Sequence, residues 1–381
     1  MSFDSQAPLG APDPWRASQM PERREGPPYA MTEMIAAEPA LAERLARRLR
    51  DASSLAALAT AVRDAEPRGV PVVFTGCGTS EHAAMAFVEL LRDVVEARSI
   101  QAFELLRHPP ARGLVVAISH EGATWATNEA LNAAREAGAS TALITVSAES
   151  PAGALADVVV TTDELDRSWC HTVGYLSPLV VAAALRAKLA DQPLDVTSLR
   201  AVLQTADASA VTEAAAAQLA DCDRLVIAGS GVDYVSAREL ALKVEEGAHL
   251  PAVAHALETV RHGHLASATQ RTGFVLFLTD TDGIAGVLVD RATAILRSTQ
   301  LLGMPAAVIL AADLGDAVPL ALTPAGRLPV PLASALPRVV NVALASAIPL
   351  QLLAERIARA RGINPDLLAR DDPRQVAAAE A

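Results

Sequence analysis

Val70-Pro71-Val72-Val73-Phe74-Thr75-Gly76-Cys77-Gly78-Thr79-Ser80-Glu81-His82 is the stretch that decides the fold. Its apolar, β-branched first half reads as a strand buried on both faces, as in a parallel sheet. Gly76 and Gly78 end it, Thr79 and Ser80 follow, and a helix with apolar Ala83, Ala84, Ala86, Phe87, Leu90 and Leu91 begins at once. A glycine turn that opens onto a helix N-terminus presents free backbone N–H groups, a natural seat for an anion or a sugar hydroxyl. A dinucleotide fingerprint needs a third glycine where Glu81 stands, and no Gly-Lys-Ser/Thr follows as in a P-loop. The turn therefore belongs to a small-molecule site of another kind.

Outward from this turn, strand-like runs at Pro71–Thr75, Gly113–Ser119, Ser140–Val146 and Asp157–Thr161 alternate with helical ones that start near Met31. Such alternation predicts a parallel sheet covered by helices on both faces. A second round begins at Arg224-Leu225-Val226-Ile227-Ala228-Gly229-Ser230-Gly231-Val232-Asp233, with the same Gly-x-Gly spacing. Phe274–Leu278 answers Leu114–Ser119, and Pro305–Leu310 answers Thr141–Val146. Two copies of one unit predict an α/β protein of two tandem flavodoxin-like three-layer domains, joined by a helical stretch from about Leu185 to Leu219. The expected divisions are a proline-rich disordered arm over 1–28, domains over 29–205 and 206–360, and a weakly periodic tail over 361–381.

Composition narrows the function. The chain has 381 residues, half of them apolar, and a net charge of −12. That charge argues against nucleic acid or an anionic membrane as a partner, because either would want a basic face. Cys77, Cys170 and Cys222 lack metal spacing and read as reduced thiols of a cytoplasmic protein. Residues 1–28 have no apolar core of a secretory signal, and Val339 to Leu353 is too short and too polar to span a bilayer. His249, His255, His262 and His264 cluster in sequence without ligand spacing, so no metal is expected.

With these residues in view, the chain over about 30–381 resembles tandem sugar isomerase (SIS) proteins, notably the isomerase half of glucosamine-6-phosphate synthase, SIS-type aminosugar-phosphate deaminases and fructosamine-phosphate deglycases. Four stretches carry the likeness: Gly76-Cys77-Gly78-Thr79-Ser80, Ser119-His120-Glu121-Gly122-Ala123-Thr124, Ala237 to Glu246, and Arg261-His262-Gly263. The resemblance implies that Gly78, Thr79, Ser80, Ser119 and Thr124 hold a sugar phosphate. Glu121 departs from it, standing where the family has a serine. A carboxylate about 4 Å from a phosphate charge costs on the order of 4 kcal/mol at an effective dielectric near 20. Either Glu121 points away, or it is a first-turn acid favoured by the helix dipole, or the ligand offers a cation or hydroxyls there. His120 beside it is a candidate compensating charge near neutral pH.

The resemblance further implies Glu246 as the carbon base and His262 as the ring-opening group, the latter working in the site of a neighbouring subunit, hence a homodimer. Lys243 matches a family lysine. The tail lysine that usually follows Pro-Arg is replaced by Ala378 after Pro373-Arg374. Trp169, His171 and Thr172 fall in the family's third substrate loop, where a tryptophan can stack on a sugar face. Asp233 stands where the first turn has Ser80, so only the first turn is expected to receive an anion. No cysteine nucleophile precedes the first domain, which argues against glutamine hydrolysis. The expectation is a cofactor-free isomerase or deaminase acting on an amino sugar or sugar phosphate derivative through an enediol or enolamine; the alternative is a sensor that binds such a compound without turnover.

Overall fold

The computed structural model describes residues 3–65, 68–207 and 209–380. The chain forms two compact units. The first comprises 3–19, 37–166 and 173–200; the second comprises 20–36, 167–172 and 201–380. Helix α1 (Ala30–Arg50) contributes to both units.

In the first unit, α2 (Ser53–Ala65) precedes β1 (Val72–Gly76), α3 (Thr79–Leu91), β2 (Ala97–Gln101) and α4 (Ala102–Arg107). Strand β3 (Leu114–Ile118), α5 (Trp125–Ala137), β4 (Ser140–Thr145), β5 (Val158–Thr161) and α6 (Val173–Leu189) complete it, and α7 (Val196–Thr205) crosses the boundary. The strands are parallel in the order β2-β1-β3-β4-β5. Strands β1 and β3 are buried at every position, which explains their unbroken apolar sequence. Val73, Val115 and Leu143 from the sheet pack with Ala130, Leu131 and Ala134 of α5.

The second unit repeats this plan. Helix α8 (Ser209–Ala220) leads to β6 (Arg224–Gly229), α9 (Val232–Ala248), β7 (Ala252–Ala256) and β8 (Thr272–Leu278). Then come α10 (Ala285–Leu301), β9 (Ala306–Ala311), β10 (Gly326–Val330), α11 (Arg338–Ala345), α12 (Ala347–Ala360) and α13 (Pro373–Glu380). Its parallel order, β7-β6-β8-β9-β10, is that of the first sheet. In such a sheet the strand order reverses between the first and third strands, and ligands bind beyond their carboxyl ends. The helical stretch 338–360 is apolar enough by composition to cross a membrane, but 94% of its most apolar 18-residue window is buried inside the protein.

Three strands were not legible as such. Ala97-Arg98-Ser99-Ile100-Gln101 and Ala252-Val253-Ala254-His255-Ala256 are edge strands of mixed burial, so they lack the apolar run of their neighbours. Strand β10 carries Pro329, which an edge position tolerates. Within the stretch expected to be a disordered arm, residues 3–19 are held to the first unit instead. The Leu9 N–H donates to Glu164 at 2.8 Å, the Leu165 N–H donates to the Gly10 carbonyl at 2.9 Å, and Arg44 donates to the Gln6 carbonyl at 2.9 Å. The tail is anchored too. Buried Asp366 accepts the Ala30 and Met31 N–H groups, each at 2.8 Å, and so caps α1 within the second unit.

Candidate functional site

The two glycine turns are built alike. Gly78 has φ 56° and ψ −128°, and Gly231 has φ 58° and ψ −129°; each precedes the first helical residue. The left-handed φ favours glycine at both positions. A Cβ on Gly76 would lie 2.6 Å from the Ser80 carbonyl carbon, and one on Gly229 would lie 2.3 Å from the Asp233 oxygen. Glycine therefore lets the helix start close against the strand.

What fills the two turns differs. In the second unit Asp233 is buried, and its carboxylate accepts the Thr279 N–H at 2.6 Å, the Asp280 N–H at 3.2 Å and the Thr279 hydroxyl. Burial pushes its carboxyl up to about 6, against the pull of these donors, and Asp280 adds to the rise. An internal carboxylate thus bridges the switch point between β6 and β8. In the first unit Ser80 takes the place of Asp233. Thr79 and Ser80 begin α3, and Ser119 follows β3 with its hydroxyl buried and unpartnered among the described residues. Thr124 caps α5 and is exposed; its carbonyl accepts the Thr127 and Asn128 N–H groups, both at 3.1 Å.

Glu121 is not a first-turn acid, because α5 starts only at Trp125. Its Oε2 accepts the Ser18 N–H at 3.0 Å, and its carbonyl accepts the Trp15 indole N–H at 3.2 Å. The carboxylate thus has a partner in the arm. His120 does not offer a ready positive charge either: its Nε2 accepts the Asp166 N–H at 3.0 Å and so carries no proton there.

A second cluster lies in the second unit, where the loop 167–172 meets α9. Lys243 is fully buried, with Nζ 2.5 Å from Glu246 Oε2 and 3.6 Å from Glu239 Oε1. Burial opposes its charge, but Glu246 and Glu239 outweigh that and hold the ammonium above its ordinary range. Glu239 is buried, whereas the Glu246 side chain keeps 25% of its surface exposed. The Cys170 thiol is 3.8 Å from Glu246 Oε2. Desolvation, helped by the Lys243 charge and opposed by Glu239, pushes His171 down to about 4, so its imidazole is neutral at neutral pH.

The remaining expected residues take other positions. Thr172 is buried, and its carbonyl accepts from Gln351 at 3.2 Å. Arg370 lies 5.4 Å over the Trp169 ring, so a cation already covers a face expected to stack on sugar. His262 is 71% exposed and 3.4 Å from Glu258. Among the described residues no three His, Cys, Asp or Glu side chains converge in a metal-binding arrangement.

The SIS domain family matches residues 71–186 and again 218–282, each stretch spanning a glycine turn. The chain resembles tandem SIS-domain proteins. A glutamine–fructose-6-phosphate aminotransferase (isomerizing) of Symbiobacterium thermophilum is 29% identical over 311 residues, which cover 76% of this chain and 50% of that protein. The chain thus spans about half the length of the curated relatives it matches. Among solved structures, the C-terminal domain of a Francisella tularensis glucosamine-fructose-6-phosphate aminotransferase superposes with a TM-score of 0.78 at 19% identity, covering 91% of this chain and 99% of that one. The Escherichia coli tagatose-6-phosphate ketose/aldose isomerase gives 0.73 at 19%, covering 92% and 98%. At these identities the structural likeness concerns the fold.

Sequence reasoning missed Glu239, Trp15 and Ser18. Glu239 sits one helical turn before Lys243, and that spacing on one face was an available signal. Nothing local ties Trp15 or Ser18 to a residue more than a hundred positions away.

Proposed function

We propose that this protein is a cofactor-free isomerase or deaminase of an amino sugar or sugar phosphate, with Glu246 as its carbon base. The observation that carries this reading is the ion pair between Glu246 and the buried ammonium of Lys243, 2.5 Å apart, which fixes the carboxylate in place while leaving part of it accessible. An ionised carboxylate at open-chain sugar can take the proton from the carbon beside the carbonyl or imine, forming an enediol or enolamine. Returning that proton to the neighbouring carbon, as the hydroxyl or amine on the first carbon gives up its own proton, moves the carbon–heteroatom double bond by one carbon, with no redox change. In the deaminase branch water replaces the nitrogen and ammonia leaves. His262 would open the ring, and its exposure suits the homodimer that the family resemblance implies.

The relatives' names supply the substrate class: fructose 6-phosphate for the aminotransferase and tagatose 6-phosphate for the isomerase. Thr79, Ser80, Ser119 and Thr124 would receive the phosphate. Glutamine hydrolysis is not part of this proposal. The test is solvent deuterium exchange into fructose 6-phosphate and glucosamine 6-phosphate. Glu246→Gln should abolish exchange and retain binding. Wild-type exchange in that variant would remove Glu246 from the reaction, and binding without exchange by the native protein would favour a sensor.

A further inference from the structure

We propose that Trp15–Ser18 forms a wall of the first-unit anion seat, clamped by Glu121, and that Arg16 supplies the positive charge for the ligand's anionic group. The inference rests on the sugar phosphate reading above.

Two observations in the first unit and one in the second carry it. The arm is fastened along its length. Arg200 donates to the Gln6 side chain at 2.7 Å and to Glu43 at 2.5 Å, the Leu9 N–H donates to Glu164, and Trp15 and Ser18 close on Glu121. Two buried hydroxyls at the Glu121 loop have no partner among the described residues: Ser119 within the loop is 2% exposed, and Ser150, which reaches Gly122 from the turn after β4, is 3% exposed. The equivalent turn of the second unit shows what such a seat accepts, because there it holds the carboxylate of Asp233.

Arg16 lies between the two clamped residues. It is exposed and has no hydrogen-bond or ion-pair partner among the described residues. A guanidinium is a planar fork of donors that matches phosphate. Glu121 removes a hydroxyl donor from the loop and adds a negative charge. By spending that charge on the Ser18 N–H, it also holds a cation-bearing segment beside the loop. The departure from the family pattern at position 121 and the presence of the arm then have one explanation.

The experiment is calorimetric titration of the full chain with inorganic phosphate and with fructose 6-phosphate, using fructose as the uncharged control. Arg16→Ala should weaken both phosphate compounds about tenfold or more, leave the fructose signal unchanged, and be partly restored in Arg16→Lys. In a Glu121→Ala background the effect of Arg16→Ala should shrink toward none, because the two act as one device. Native-like phosphate binding in Arg16→Ala, with loss in Ser119→Ala, overturns the inference and leaves the functional reading standing. Equal effects of Arg16→Ala in both backgrounds overturn the clamp. If the native protein binds neither phosphate compound, the inference falls together with that reading.

Discussion

Lys243 shows how far a single residue's meaning depends on what encloses it. In sequence it is a basic residue on an acidic helix, but in the fold its single ammonium is shared between buried Glu239 and accessible Glu246. Removing it leaves a carboxylate in a dry interior. Lys243→Met should therefore lower unfolding stability by about 3–5 kcal/mol in urea titrations. Combining it with Glu239→Gln should recover part of that loss, since the uncompensated charge is gone. That Glu246 and Lys243 share one helix was legible from motif order. For Glu239 the sequence offered only its spacing of four from Lys243, and burial alone separates it from the solvated carboxylates of the same helix.

At the scale of elements, the strand–glycine–helix turn was the most legible feature, since its geometry leaves few residue choices. Gly76→Ala and Gly229→Ala place a methyl within 2.6 Å and 2.3 Å of backbone atoms that cannot rotate away. Each should cost about 2 kcal/mol or more, measured by denaturant midpoint. Gly286 is the matched control: it lies in α10 with nothing within 4 Å of an added Cβ, so Gly286→Ala should gain up to about 1 kcal/mol. Edge strands and the arm were hidden for a shared reason. Their order comes from partners distant in sequence, such as Glu164 for Leu9 and Glu121 for Ser18, rather than from local periodicity.

For the whole molecule, the repeat of one strand order in two units was foreseeable from the repeated motif, whereas the exchange of segments 20–36 and 167–172 into the second unit was not. Two groups give the molecule opposing acid responses. His171 falls from 6.5 to about 4 on folding, so its contribution of about 3 kcal/mol is full above pH 6.5 and is lost as the pH drops toward 4. Asp233 rises from 3.8 to about 6, so its contribution of about 3 kcal/mol is full below pH 3.8 and is lost as the pH climbs through 6. Across this window the two terms nearly cancel. Urea melts from pH 4 to 7 should show His171→Gln gaining on the native protein as the pH falls, and Asp233→Asn losing ground.

Asp233 has one more consequence. A chain with two like turns might be expected to take up two anions, but one turn carries its own occupant, covalently attached and never diluted away. Saturation with a phosphate compound should therefore come at one equivalent per polypeptide, and any dimer should hold two.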